Sequence, residues 1–62
     1  MIEIIANFKN VEYGIESFVT IHEKGFSVSL KDTDANEYIS ANKIFPETMK
    51  DKAIETAKEW VA

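Results

Sequence analysis

The sequence predicts an α+β fold with two layers, in which an antiparallel meander of three to four strands carries one C-terminal helix packed on one face (ββββα). In the first two-thirds of the chain, apolar and polar residues alternate with period two, as in strands that bury one face. In the last third, apolar residues recur at helical spacing. We therefore expect one domain, residues 1–62, with strands near 1–9, 15–23, 26–32 and 37–44 and a helix near 48–61.

The first strand shows the alternation over its whole length. Ile2, Ile4, Ala6 and Phe8 fall on one face, with polar residues between most of them. This parity places the four on the core side of the sheet. The same parity places Ile5 on the opposite side.

The second and third strands follow turn residues. Gly14 suits a turn at residues 10–14, because glycine accepts positive φ, and Glu23-Lys24-Gly25 suits a tight hairpin. β-Branched and aromatic residues fill the second strand, where Val19 and its neighbours at the same parity face the core and Phe18 and Thr20 face away. The third strand has the clearest alternation. Its expected core residues are Phe26, Val28 and Leu30.

The fourth strand is expected at an edge of the sheet and ends at Pro46, because proline lacks the N–H that a ladder needs. The helix that follows has the pattern of a capping box from Thr48 to Asp51, with aspartate in place of glutamate. Its apolar residues form a stripe that is expected to lie across the inner face of the sheet. The members of the stripe are Met49, Ala53, Ile54, Ala57, Trp60 and Val61.

Charge and composition narrow the range of functions. Eleven acidic residues against seven lysines give a net charge of −4, and arginine and cysteine are absent. An acidic chain without arginine disfavours nucleic-acid binding, and a chain without cysteine has neither disulfides nor thiolate metal sites. The N-terminal segment is apolar only briefly, so neither a signal peptide nor a membrane span is expected. We expect a soluble, cytoplasmic protein with no membrane partner.

Residues 31–39, KDTDANEYI, resemble the start of a calcium loop. Asp32, Asp34 and Asn36 match the first three ligand positions of an EF-hand, which also needs glycine at position 6 and glutamate at position 12. Glu37 and Lys43 occupy those two positions. The segment therefore predicts a turn, in which Asp and Asn bond to their own backbone, and weak ion binding there stays open. No metal site is predicted.

No catalytic or cofactor-binding residue is predicted. His22 is the only histidine, and a site needs several positioned groups. Gly14 and Gly25 are isolated and each has a role in a turn, so neither belongs to a phosphate-binding loop. We expect a protein that is not an enzyme and that uses no cofactor.

The sheet face opposite the helix is the candidate interaction surface, because a single helix covers only one face. Apolar and aromatic residues gathered there would mark a partner or dimer interface. A partly exposed face without a partner is the alternative. The candidate residues are Ile5, Tyr13, Phe18, Thr20, His22 and Tyr38.

Residues 25–61, GFSVSLKDTDANEYISANKIFPETMKDKAIETAKEWV, carry a hairpin glycine, a strand that ends in V-x-L-x-D-x-D-A, a short strand, F-P and a helix with A-I-x-x-A-K. This arrangement resembles small accessory proteins of phages and other mobile elements. The resemblance implies a compact sheet-plus-helix protein that contacts host or phage proteins, in the host cytoplasm if it is phage-encoded. It assigns no functional residue.

The leading hypothesis is a non-enzymatic protein-interaction module that binds a larger partner or self-associates, as a homodimer through strand pairing or face packing. The alternative is a small nucleic-acid-binding regulator that uses Lys31, Lys43 and Tyr38 for phosphate contact and stacking. A further variant is an acidic mimic of nucleic acid, for which the excess of carboxylates is small.

Overall fold

The structure is a computed structural model that describes residues 3–23 and 25–62, and the side chains of residues 22, 40 and 41 lie outside this description. Four antiparallel strands form one sheet in the order β1-β2-β3-β4, followed by one helix. The predicted α+β meander with a C-terminal helix is confirmed. The elements are β1 (Glu3–Asn10), β2 (Ile15–His22), β3 (Gly25–Asp32), β4 (Glu37–Pro46), a short 3-10 turn (Glu47–Met49) and α1 (Lys50–Trp60).

The core lies between α1 and one face of the sheet. Two small residues of the helix, Ala53 and Ala57, are fully buried, so the helix axis approaches the sheet closely. Val19 and Val28 lie beneath them at the centre of the sheet and are also fully buried. The buried residues of this cluster are Val19, Phe26, Val28, Phe45, Ala53 and Ala57.

A β-bulge in β1 changes the predicted faces of that strand. Ile4 pairs with Thr20 and Ala6 pairs with Val19, so Ile5 is an extra residue between two consecutive pairs. Because side chains alternate between the two faces, one extra residue exchanges the faces of the residues before it relative to those after it. Ile5 and Ala6 pack against the core, whereas Ile4 lies on the opposite face and is 56% exposed. The predicted placements of Ile4 and Ile5 are both wrong for this reason. Ile2 lies outside the described residues.

The alternation predicted for β2 and β3 is confirmed. Val19 pairs with Val28 on the helix side of the sheet. Phe18 pairs with Ser29 on the other side and is half-buried. Since neither strand is bulged along this pair, the period of two holds from end to end.

The segment from Asp32 to Asn36 is a turn, as predicted. The Asp32 side chain accepts hydrogen bonds from the backbone N–H groups of Asp34 and Ala35, at 3.0 and 3.1 Å. Asn36 has a φ of +55°, in the left-handed region that asparagine tolerates. Asp32 therefore bonds to its own turn, which joins β3 to β4.

Both glycines lie where a side chain would clash. Gly14 has a φ of +64°, and a Cβ atom there would lie 2.5 Å from Oδ2 of Asp34. The backbone N–H of Thr33 donates to the Gly14 carbonyl at 2.9 Å, so the β1–β2 and β3–β4 turns contact each other. Gly25 has a φ of +151°, and a Cβ atom there would overlap the carbonyl oxygen of Phe45 on β4. Lys24, in the predicted hairpin, lies outside the described residues.

The start of the helix differs from the predicted capping box. Pro46 is extended, with a φ of −67° and a ψ of 159°, and Thr48 lies inside the 3-10 turn that follows. The helix begins at Lys50, and its N-cap is Met49, with no side-chain cap hydrogen bond. A residue whose side chain caps a helix has an extended backbone. Thr48 cannot have that backbone, because it lies inside the 3-10 turn. The capping-box prediction is wrong.

Candidate interaction surface

The outer face of the sheet is the side opposite α1. Strand pairing arranges its residues in three rows of four, each row crossing all four strands. Directly paired residues project to the same face, so the rows follow from the register. From one end of the sheet to the other, the rows are Ile4-Thr20-Ser27-Ile44, Asn7-Phe18-Ser29-Asn42 and Lys9-Glu16-Lys31-Tyr38.

Three of the six residues predicted for the interaction surface belong to these rows: Phe18, Thr20 and Tyr38. Ile5 does not, because the β1 bulge directs it toward the core. Tyr13 lies in the turn between β1 and β2, 68% exposed and beyond the third row. His22 pairs with Gly25 at the end of β2, and its side chain lies outside the described part of the structure.

Two aromatic rings meet on the outer face. The ring centroids of Phe18 and Tyr38 are 6.3 Å apart, with an angle of 51° between the ring planes. This distance is within the range of favourable aromatic pairs. Tyr38 is 68% exposed, and Phe18 is half-buried on β2, an inner strand of the sheet. The two rings therefore form an accessible aromatic surface on the outer face.

Two isoleucines outside the predicted interaction surface lie at opposite edges of the first row. Ile4 on β1 is 56% exposed and Ile44 on β4 is 66% exposed. Ile4 was missed because the bulge reverses its face. Ile44 had a usable signal, since the larger neighbour Phe45 takes the core side and adjacent strand residues face opposite ways.

Polar side chains between these apolar groups bond to one another. Asn42 Oδ1 accepts hydrogen bonds from Ser27 Oγ at 2.9 Å and from Ser29 Oγ at 3.3 Å. The Asn7 amide donates to a carboxylate oxygen of Glu16 at 2.6 Å. Side chains already held in this way lose less conformational entropy when a ligand arrives. The centre of the outer face is thus preorganised.

The charge of the outer face differs in sign from that of the chain. The third row holds Lys9 and Lys31 against Glu16, a net of +1, whereas the chain carries −4. Lys31 Nζ lies 5.7 Å from the centroid of the Tyr38 ring, within the range of a cation–π contact. Lys31 and Tyr38 therefore form a patch that is both cationic and aromatic, at one corner of the outer face.

Lys43 lies outside this patch. It pairs with the buried Val28, and its Nζ lies 5.4 Å from the centroid of the Phe45 ring. Because Val28 and Phe45 face the helix, Lys43 is on the helix side of the sheet. The predicted set of Lys31, Lys43 and Tyr38 is not one site.

Both edges of the sheet are irregular. In β1, the register shifts between Ile4 and Ala6. In β4, Asn42 pairs with Ser29 and Ile39 pairs with Leu30, so residues 40 and 41 are extra. Bulges disrupt the regular row of N–H and C=O groups that an added strand needs. Each edge is therefore a poor template for strand pairing.

Within residues 3–23 and 25–62, no group of three His, Cys, Asp or Glu side chains has a geometry that could hold a metal ion. Over the same ranges, no helix has both the length and the apolar character needed to cross a membrane.

Comparison of the chain with family models, with curated proteins and with solved structures finds no match in any of the three. The outer face is accordingly the basis for a functional proposal.

Proposed function

We propose that this chain is a non-enzymatic protein-interaction module and that the outer face is its contact surface. The observation that carries the proposal is the contact between Phe18, on the inner strand β2, and Tyr38, on the edge strand β4, on a sheet face that α1 leaves uncovered. Aromatic residues are enriched at the centres of protein interfaces, where polar groups surround them. The outer face has this composition.

The proposal favours the outer face over the sheet edges. Strand addition gains affinity from a regular backbone ladder, and both edge strands are bulged. The outer face instead offers side chains at regular spacing, with Ile4 and Ile44 as additional apolar contacts. Self-association through strand pairing is therefore the weaker form of the hypothesis.

The experiment that tests the proposal is comparative affinity capture, read by quantitative mass spectrometry, together with sedimentation equilibrium to detect self-association. The variant is Phe18→Asp, and the matched control is Val11→Asp, which adds the same charge at a turn residue that is 83% exposed. We expect Phe18→Asp to abolish capture or self-association and Val11→Asp to leave both unchanged. Equal behaviour of the two variants would contradict the proposal.

One observation favours nucleic-acid binding as a second candidate. Lys31 and Tyr38 lie together on the outer face, and single-stranded nucleic acid is bound by aromatic stacking combined with cationic side chains. Lys43 is on the other side of the sheet and cannot contribute to the same site. Binding of a hexathymidylate that falls steeply with added salt would support this candidate. No binding at low salt would remove it.

The resemblance to phage accessory proteins remains a prediction. It implies that the partner is a host or phage protein and that the partner is met in the host cytoplasm. The genes that flank this one would test the prediction, since a phage origin predicts neighbours that encode phage functions.

A further inference from the structure

We propose that the outer face recognises a short extended peptide in which an aromatic or large aliphatic side chain lies two positions from a carboxylate. This inference rests on the proposed function and names the chemistry of the partner. The apolar side chain would contact Phe18 and Tyr38, and the carboxylate would pair with Lys31.

The charge of the outer face favours a ligand with an acidic group over one with a basic group. The outer face has two lysines against one glutamate, although the chain as a whole is acidic. The Asn7 amide binds the Glu16 carboxylate at 2.6 Å, and no ion pair between Glu16 and either lysine is found among the described residues within 4.0 Å. Lys31 contacts the Tyr38 ring instead. Its charge is therefore available to a ligand beside an aromatic surface.

The spacing of the contact groups matches an extended peptide. Phe18 pairs with Ser29, and Lys31 lies two residues farther along β3 on the same face. Phe18 and Lys31 are thus one strand and two residues apart, about 8 Å between backbone positions, and alternate side chains of an extended peptide are about 6.8 Å apart. A peptide that crosses the strands obliquely, with its apolar side chain over Phe18, therefore brings the side chain two positions away within reach of the Lys31 side chain, whereas a peptide parallel to β2 would meet Glu16.

The size of the outer face favours a peptide over a second copy of the chain. Three rows separated by about 6.8 Å, across four strands about 4.8 Å apart, cover roughly 400 Å² of flat area. A stable protein–protein interface buries about 800 Å² on each partner. The flat area of the three complete rows is below that figure, which suits a short segment.

The test is selection from a displayed library of random hexapeptides against the folded protein. The bait proteins are the wild type, Phe18→Asp, Lys31→Gln and Lys43→Gln. The last two are matched, because each lysine lies over an aromatic ring at a similar distance but on opposite faces of the sheet. Trp60 fluorescence and circular dichroism verify folding, and Tyr38→Ser replaces Phe18→Asp if that variant does not fold.

We expect the wild type to enrich peptides with an aromatic or aliphatic residue two positions from an Asp or Glu, in either order. The most enriched hexapeptide, synthesised with Glu or with Gln, should bind the wild type about two- to fivefold more tightly in the Glu form, the range of an exposed ion pair. Lys31→Gln should remove this preference, and Lys43→Gln should retain it.

Other outcomes overturn the inference in distinguishable ways. Peptides that are enriched without an acidic residue, and are lost with Phe18→Asp, would overturn the inference and leave the proposed function standing. A homodimer that dissociates on Phe18→Asp would also overturn the inference and leave the proposed function standing. The outer face would then bind a second copy of the chain. Failure to enrich any peptide, together with salt-sensitive binding of hexathymidylate, would overturn both.

Discussion

Ser17 Oγ donates a hydrogen bond of 2.7 Å to the carbonyl oxygen of Ala57. Ser17 is fully buried on the helix side of β2, and Ala57 lies in the last turns of α1, where helix carbonyls lack regular partners. The bond connects residues 40 positions apart in the chain. It joins the two layers of the fold with a polar contact inside an otherwise apolar core.

Replacement of Ser17 by alanine should lower the free energy of unfolding by about 1–2 kcal/mol, because a buried carbonyl loses a hydrogen-bond donor. Urea denaturation followed by Trp60 fluorescence measures the change, since Trp60 packs against the core. The control is Ser29→Ala, on the outer face, which should cost less. An equal loss in both variants would contradict a structural role for the Ser17 bond.

Asn10 should also stabilise the C-terminal end of the helix. Its amide donates to the Val61 carbonyl at 2.7 Å, and its Oδ1 accepts from the Tyr13 backbone N–H at 3.1 Å. Because one side chain holds both the helix end and the β1–β2 turn, Asn10→Ala should cost about 1–2 kcal/mol.

A double-mutant cycle separates this effect from that of Ser17. Both residues hold the end of α1, so Asn10→Ala and Ser17→Ala should couple by about 0.5 kcal/mol or more. Strictly additive losses would show that the two bonds act independently. Asn42→Ala, on the outer face, is the matched asparagine control and should not couple to Ser17→Ala.

Gly25→Ala should destabilise the protein more than Gly14→Ala. Both glycines have positive φ, but a Cβ atom at Gly25 meets the backbone of β4, whereas one at Gly14 meets the exposed side chain of Asp34. A side chain can rotate away, and a paired backbone cannot. We expect at least about 1 kcal/mol for Gly14→Ala and a larger loss for Gly25→Ala, measured by thermal and urea unfolding.

Combining Gly14→Ala with Asp34→Ala separates two causes. The second substitution removes the steric contact and leaves the unfavourable φ, so it should recover part of the lost stability. Full recovery would show that φ contributes nothing, and no recovery would show that the contact with Asp34 is irrelevant.

Asp32→Ala should cost about 1 kcal/mol, because the Asp32 carboxylate accepts two backbone N–H groups of its turn. Asp34→Ala is the control, and it should cost less, since Asp34 is exposed. Thermal unfolding measures both. Calcium chloride should leave the melting temperature of the wild type unchanged, and a rise that Asp32→Ala abolishes would establish ion binding at the turn.

The candidate surface was only partly predictable. The parity of β2 correctly assigned Phe18 and Thr20 to the outer face, because β2 and β3 pair without interruption there. The same rule misplaced Ile4 and Ile5, because β1 contains a bulge. A bulge shifts the register by one residue and leaves no pattern in composition. Parity did separate Lys43 from Tyr38, because the two extra residues of β4 preserve the alternation, but the pairing of Tyr38 with Lys31 depends on the register of β3 and β4.

The sequence alone determined the class and order of the elements: period-two alternation specified the strands, the apolar stripe of residues 49–61 specified the helix, and Asp32 and Asn36 specified a turn. These are local properties, because the choice between strand, helix and turn depends on residues close together in the chain. Only the tertiary structure decided which isoleucine of β1 faces the core, where α1 begins, and which lysine lies beside Tyr38. Those outcomes depend on strand register and on helix packing, which arise from contacts between residues far apart in sequence.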